Sequence, residues 1–201
     1  MNPHTTALVL IEFQNDFTTQ GGVFHDAVKD VMHATDMLAN TATTVQQARK
    51  LGVKIVHLPI SFAAGYPELT TRDYGILKGV ADGNAFSAGT WGAEITATLS
   101  QGSSDIVVEG KRGLDGFATT GLDLVLRNNG IQTLVVAGFL TNCCVEGTVR
   151  SGYEKGYNVV TLTDCTATFT EEQQQAAENF TLPMFSQTLK HTQFLQALTA
   201  P

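Results

Sequence analysis

Residues 133–162 read TLVVAGFLTNCCVEGTVRSGYEKGYNVVTL. Thr133 to Ala137 is a short run of the apolar, β-branched kind that suits a buried strand, and Asn158 to Leu162 is a second. Between them Cys143 to Lys155 reads as a helix, closed by Gly156 as a C-terminal glycine closes one. Two strands joined through a helix form a parallel crossover unit. The same alternation extends outward in both directions. Upstream, Ala7 to Ile11 suits a strand buried on both faces. Residues 27 to 50 carry Val28, Val31, Met32, Leu38 and Val45 amid polar positions and read as one helix ending at Gly52. Val53 to Leu58 is a strand stopped by Pro59, Trp91 to Leu99 a short helix, Asp105 to Val108 a strand, and Thr119 to Asn129 a helix before Gly130. Downstream, Glu171 to Met184 reads as helix, Thr188 to Lys190 as a last short strand and Thr192 to Leu198 as a terminal helix. Residues 61–90 hold five glycines and one proline and show no period. The expected fold is α/β: one domain over residues 1–201, a three-layer α/β/α sandwich with a six-stranded, mainly parallel, Rossmann-like sheet and helices on both faces.

Composition narrows the class. The chain has 201 residues, 43% hydrophobic and only 15% charged, against about 25% charged in typical soluble domains. That deficit argues against disorder and points to surface covered by another subunit, a homo-oligomer (dimer or tetramer). Twelve basic against nineteen acidic residues leave a net charge of −7, with no basic run, so nucleic acid and anionic membrane are poor partners. Three cysteines do not make a disulfide framework and suit a reducing compartment. Met1 to Thr6 lacks a basic region, Ala7 to Ile11 is too short for a signal core, and no apolar run approaches membrane-spanning length. The expected location is the cytoplasm and the expected partner a small-molecule substrate.

In an open parallel sheet, ligands bind beyond the carboxyl ends of the strands. Glu12, Gln14, Asn15 and Asp16 follow the first strand; His57 and Ser61 lie at the second; Glu109, Lys111 and Arg112 follow the third. Gly138-Phe-Leu-Thr-Asn-Cys-Cys144 follows the fourth and Asp164 the fifth. An acid, a lysine and a thiol thus converge on one edge. A cysteine at a helix N-terminus is expected to ionise more readily, Lys111 to favour its thiolate and Glu12 to take its proton. Unpaired N–H groups of the first helical turn are fit to receive an oxyanion. The plain alternative is that a free cysteine is a small buried hydrophobe.

Four segments carry a family resemblance. Ile11-Glu-Phe-Gln-Asn-Asp-Phe17 with Gly21-Gly22, Trp91-Gly-Ala-Glu94, Lys111 with Phe117-x-x-Thr120-x-Leu122, and Gly138-Phe-Leu-Thr-Asn-Cys-Cys-Val-Glu-x-Thr148 resemble, in order, the motifs of the isochorismatase-like cysteine hydrolases. Thr163-Asp-Cys-Thr166 resembles a late strand end of that family. The resemblance implies Cys144 as nucleophile, Lys111 as catalytic lysine, Glu12 at the catalytic aspartate position and Asp16 as a structural acid. Cys143 falls on a variable position. Glu12 is a departure: it keeps the carboxylate but adds about 1.5 Å of reach, and a carboxylate at that reach still suits general base catalysis. The resemblance also implies a non-proline cis peptide at Phe139–Leu140, with the Leu140 and Cys144 N–H groups forming the oxyanion hole and Thr141 bracing the loop.

Nicotinamidases of that family hold a metal through Asp-x-His after the second strand. Here Ile55-Val-His-Leu-Pro-Ile-Ser-Phe62 has no such pair, and His4, His25, His33 and His191 are scattered. No metal and no cofactor are expected, and His57 reads as a hydrogen-bonded core or pocket residue. Trp91, Phe117 and Phe17, with Phe169, are candidate walls of a substrate pocket; the competing reading is plain core, which is favoured for Phe17 and Phe169. Arg112 and Arg72 are candidate partners for a substrate carboxylate, and Asn142 a candidate cap for the helix that carries Cys144. The resulting expectation is a metal-free cysteine hydrolase with a Cys-Glu-Lys triad that cleaves a C–N bond of a small amide or ureido/carbamoyl substrate through a thioester. The alternatives are an isochorismatase-type vinyl-ether hydrolase, which needs a carboxylic acid rather than a thiol, or a catalytically weakened member with a binding role.

Overall fold

The structure, a computed structural model, describes residues 1–71, 73–99 and 101–200. Its six strands are β1 (Thr6–Ile11), β2 (Lys54–Leu58), β3 (Ile106–Val107), β4 (Thr133–Phe139), β5 (Asn158–Ala167) and β6 (Gln187–Leu189). They form one sheet in the order β3-β2-β1-β4-β5-β6. Every strand pair is parallel, so the sheet is wholly rather than mainly parallel. Every residue of β1 is buried, as the uninterrupted apolar run Ala7 to Ile11 requires of a central strand covered on both sides.

The helices are α1 (Asn15–Thr18), α2 (His25–Ala34), α3 (Met37–Lys50), α4 (Gly75–Asp82), α5 (Leu122–Asn128), α6 (Glu146–Glu154), α7 (Glu171–Ala176) and α8 (His191–Thr199). They cover both faces. Leu8 and Leu10 of β1 share a core with Val31 and Met32 of α2, Val45 of α3 and Phe194 of α8. Ala7, Val9 and Ile11 point the other way, into a second core with Leu122 and Leu126 of α5 and Val149 of α6. The period-two alternation of a strand thus sorts one apolar run into two layers. No helix among the described residues is long and apolar enough to cross a membrane.

Four elements differ from the reading of the sequence. The helix expected over residues 27 to 50 is two helices, broken at Asp36, whose φ of 52° is left-handed. Aspartate is one of the few residues that tolerate that conformation, and a hydrophobic period does not register it. The helix expected over Trp91 to Leu99 is only a 3₁₀ turn at Trp91–Ala93, because its backbone is committed to other elements: Ile95 bridges Gln14 antiparallel, and the carbonyl oxygens of Trp91 and Ala93 accept side-chain amides. The segment read as helix from Glu171 to Met184 is α7 followed by a π turn at Ala177–Thr181 and a 3₁₀ turn at Leu182–Met184 that contains Pro183. Finally, α4 lies in the stretch 61–90 that showed no period.

Candidate active site

The chain runs β1 to β2 to β3 toward one edge, then returns to place β4 on the other side of β1. The switch point between β1 and β4 is where a parallel sheet opens a crevice at its carboxyl end. Gly138 makes that junction tight. Its φ is 132°, and an added Cβ would lie 2.0 Å from the Ile11 carbonyl oxygen. The backbone that leads to Cys144 is thereby pressed against the residue before Glu12.

Glu12 itself has a φ of 56°, uncommon for a residue with a side chain. Its amide donates to Leu58 O at 3.2 Å, tying the end of β1 to the end of β2. Lys111 follows β3 and is fully buried; its Nζ donates to Glu12 Oε1 at 2.5 Å and to Gly113 O at 2.5 Å. Its backbone carbonyl accepts from the Ser61 amide at 3.3 Å. Cys144 is buried in the π turn Thr141–Val145 that follows β4 and leads into α6. The Lys111 ammonium also faces the Cys144 sulfur, and Glu12 lies close enough to act on it electrostatically.

The acid–base state of this cluster differs from the expectation of a readily ionised thiol. Cys144 is held well above the ordinary thiol range, first by its hydrogen bond with Cys143, then by burial and by the Glu12 carboxylate; together these outweigh Lys111. Cys143, half-buried, is shifted down by that same contact with Cys144. Lys111 moves up: burial opposes its charge, but Glu12 and Cys144 beside it more than offset that. Cys144, Lys111 and Glu12 thus stand together in one buried space.

The motif residues around this cluster are fasteners. Gln14 Nε2 donates to Ile60 O at 2.8 Å and Ala93 O at 2.7 Å, while its Oε1 accepts from the Ile60 amide at 2.9 Å. Asn15 Nδ2 donates to Trp91 O at 2.8 Å. The Asp16 carboxylate accepts from the Val23 amide at 3.1 Å and the Phe86 amide at 2.7 Å, and Gly92 packs so closely that a Cβ there would lie 2.4 Å from Asp16 Oδ1. Thr148 Oγ1 donates to Cys144 O at 2.7 Å and accepts from the Gly116 amide at 2.9 Å, joining the thiol's helix to the lysine's loop. Thr141 Oγ1 donates to Gln174 Oε1 at 2.7 Å and braces the turn from α7. Asn142 does not cap the helix: its Oδ1 accepts from Thr168 Oγ1 at 2.6 Å instead. The Phe139–Leu140 peptide is cis, and Leu140 O accepts from the amides of Cys143 and Val145.

Glu12 and Cys144 open onto a small enclosed cavity of ≈ 20 Å³. Phe17, Phe24 and Phe86 form one wall, their ring centroids 5.2–5.9 Å apart. Ile76, Leu77 and Val80 of α4 form the cover. Ile60, Leu114, Leu140 and Phe169 complete it. Of the candidate pocket walls, Phe17 and Phe169, for which plain core was the favoured reading, line this cavity, while Trp91 and Phe117, named for lying beside motif residues, do not. Trp91 stands 48% exposed, contributing its backbone to the Asn15 contact. Phe117 stacks on Tyr157, on the α5–α6 side of the sheet. Adjacency in the chain to a motif residue places a side chain on the opposite face as readily as on the same one. Phe24, Phe86 and the three α4 residues carried no sequence signal beyond being apolar.

The remaining candidates lie elsewhere. His57 Nε2 contacts Asp105 Oδ2 at 3.2 Å, and Arg49 clamps the same carboxylate through Nε at 3.0 Å and a terminal nitrogen at 2.7 Å. Asp164 accepts the His191 amide at 2.8 Å and its Nδ1 at 2.7 Å, fixing the start of α8. Arg112 is shared between Glu68, Ser61 and the Lys111 carbonyl. Arg72 lies outside the described residues. Among the described residues no group of three or more His, Cys, Asp or Glu side chains is placed to hold a metal ion.

The sequence model of the Isochorismatase domain family matches residues 6–193. The ureidoacrylate amidohydrolase RutB of Agrobacterium fabrum is 32% identical over 177 residues, spanning 83% of this chain and 77% of that protein. The solved isochorismatase family protein of Desulfovibrio vulgaris superposes with a TM-score of 0.80 at 27% identity, covering 98% of this chain and 99% of that one. The cysteine hydrolase of Pseudomonas syringae pv. phaseolicola has the same fold, with a TM-score of 0.83 at 23% identity over 98% of this chain and 94% of that one.

Proposed function

Because the chain belongs to the isochorismatase family, and is a hydrolase, we propose that it is a cysteine amidohydrolase in which Cys144, Glu12 and Lys111 carry the reaction on a small amide or ureide. The observation that carries this reading is the buried Glu12–Lys111 pair beside Cys144 at the β1/β4 switch point. In it, Cys144 Sγ attacks the carbonyl carbon while its proton passes to Glu12. A general base is required because the thiol is held above its ordinary range. Glu12 then gives the proton to the departing nitrogen, the C–N bond breaks, and a thioester remains on Cys144. A water next loses a proton to Glu12 and attacks the thioester; the acid leaves and the proton returns to Cys144 sulfur.

Lys111 stays cationic throughout and holds Glu12 in place. The backbone N–H groups of Leu140 and Cys144, at the start of the turn, receive the developing oxyanion. Phe17 borders the space for the substrate's unreacting part. The left-handed backbone at Glu12 sets the origin of its side chain. The amidohydrolase name of the Agrobacterium relative supports the reaction class. Exposed Tyr153, Phe180 and Met184, with the low charge, support a homo-oligomer, to be checked by sedimentation; three free thiols support a reducing, cytoplasmic setting. The test of the reaction is ammonia release from small amides and ureides by the wild type and by Cys144→Ala. Turnover lost in the variant is expected; turnover unchanged would sink the scheme.

A further inference from the structure

Resting on that reading, we propose that the site is selective for uncharged amides or ureides bearing a small apolar group, and rejects those bearing a carboxylate. The cavity carries this. Ten of its twelve lining residues present hydrocarbon side chains, and only Glu12 and Cys144 are polar. The described chain places no cation there to meet a substrate carboxylate. Lys111 is the buried cation nearest by, and it is already shared between Glu12 and the Gly113 carbonyl. Lys78, on the cover helix, pairs with Asp82 on the same helix. Arg112 is held by Glu68 and Ser61 and borders a different, open depression beside Glu109 and Glu94.

A substrate carboxylate in this cavity would lose its water, gain no cation partner among the described residues, and stand near the Glu12 charge. A short alkyl group suffers neither cost and gains contact with Phe17, Phe24, Phe86 and the Ile76–Val80 face of α4. The free volume, ≈ 20 Å³, holds about one water, so Ile76, Leu77 and Val80 of the cover move outward as the alkyl group enters.

The experiment uses two isosteric pairs, each with an isopropyl group in place of the carboxylate: 4-methylpentanamide against succinamate, and 3-methylbutylurea against 3-ureidopropionate. Each is tested in Cys143→Ala protein for protection of Cys144 from iodoacetamide, and in wild type for ammonia release. The expected result is that the apolar member of each pair protects at concentrations about 100-fold lower or less than its carboxylate counterpart, the scale set by burying an unpaired charge. Leu77→Arg, a half-buried position on the cover, should shrink that preference by about 10-fold by supplying a partner. Protection by the carboxylate members, or by none of the four, overturns the selectivity. Protection by the apolar members without hydrolysis leaves the selectivity standing and fails the amidohydrolase reading. Hydrolysis of the carboxylate members in preference fails the selectivity alone.

Discussion

Asp105 and Glu12 are both buried carboxylates held by a cation from a distant part of the chain, yet their surroundings differ. Asp105 spends its acceptor capacity on protein: Arg49 twice, the Gly102 amide at 2.9 Å and the His57 ring. Glu12 has Lys111 as its hydrogen-bond partner among the described residues, and its side chain borders a cavity shared with Cys144. A saturated carboxylate is a structural rivet, because any change of protonation breaks bonds already made. A carboxylate with capacity left over, aimed at a thiol, can exchange a proton. The contrast separates two ion pairs that look alike in a list of contacts.

The largest expected effect falls on the pair proposed for chemistry. Lys111→Met removes a fully buried cation and strands the Glu12 charge, which should cost about 3–5 kcal/mol of stability and nearly all ammonia release. Denaturant melts together with activity assays measure both; a stable variant with normal turnover would erase the distinction. Next comes Asp105→Asn. Weakening the Arg49 and His57 contacts should lower stability by about 1–3 kcal/mol while kcat/KM stays within a few-fold, since the cluster lies away from Cys144. Loss of turnover beyond the loss of folded protein would place that cluster in the catalytic machinery after all.

Smallest is a pH effect. Burial, partly opposed by Asp105, pushes His57 below its ordinary value of 6.5. The unfolded chain therefore takes up the proton first, and His57 favours the fold above pH 6.5 but less so as acidification proceeds through its folded pKa. Asp105 acts in the same direction at lower pH: burial would raise its pKa, but Arg49, Gly102 and His57 hold it below 3.8. Melting temperature should thus fall on going from pH 7 toward pH 5, and His57→Gln should flatten that slope. An unchanged slope in the variant would remove His57 as the source.

The same contrast explains what could be read from sequence. The sheet was legible because β1, β2, β4 and the start of β5 are nearly unbroken apolar runs, a local signal that tertiary context does not override. Glu12, Lys111 and Cys144 were legible as a group because each stands just past a strand end, where topology alone brings side chains together. The cavity was not. Its cover comes from α4, inside a glycine-rich stretch without a period, and its far wall from Phe24 and Phe86, which are brought together when Asp16 binds the amides of Val23 and Phe86. The upward shift of the Cys144 thiol was not legible either, because a helix start and a nearby lysine are visible in the sequence while the Cys143 contact and the burial are not.

Glu12→Gln tests the central claim most directly, because it keeps the shape and a hydrogen bond to Lys111 while removing the base. The account predicts a fall in kcat/KM for ammonia release of about 10²–10⁴-fold per folded molecule, with a cooperative melting transition still present but at lower temperature, because the buried Lys111 cation loses its charge partner. Turnover within a few-fold of wild type would contradict it and leave the Glu12–Lys111 pair as a second rivet.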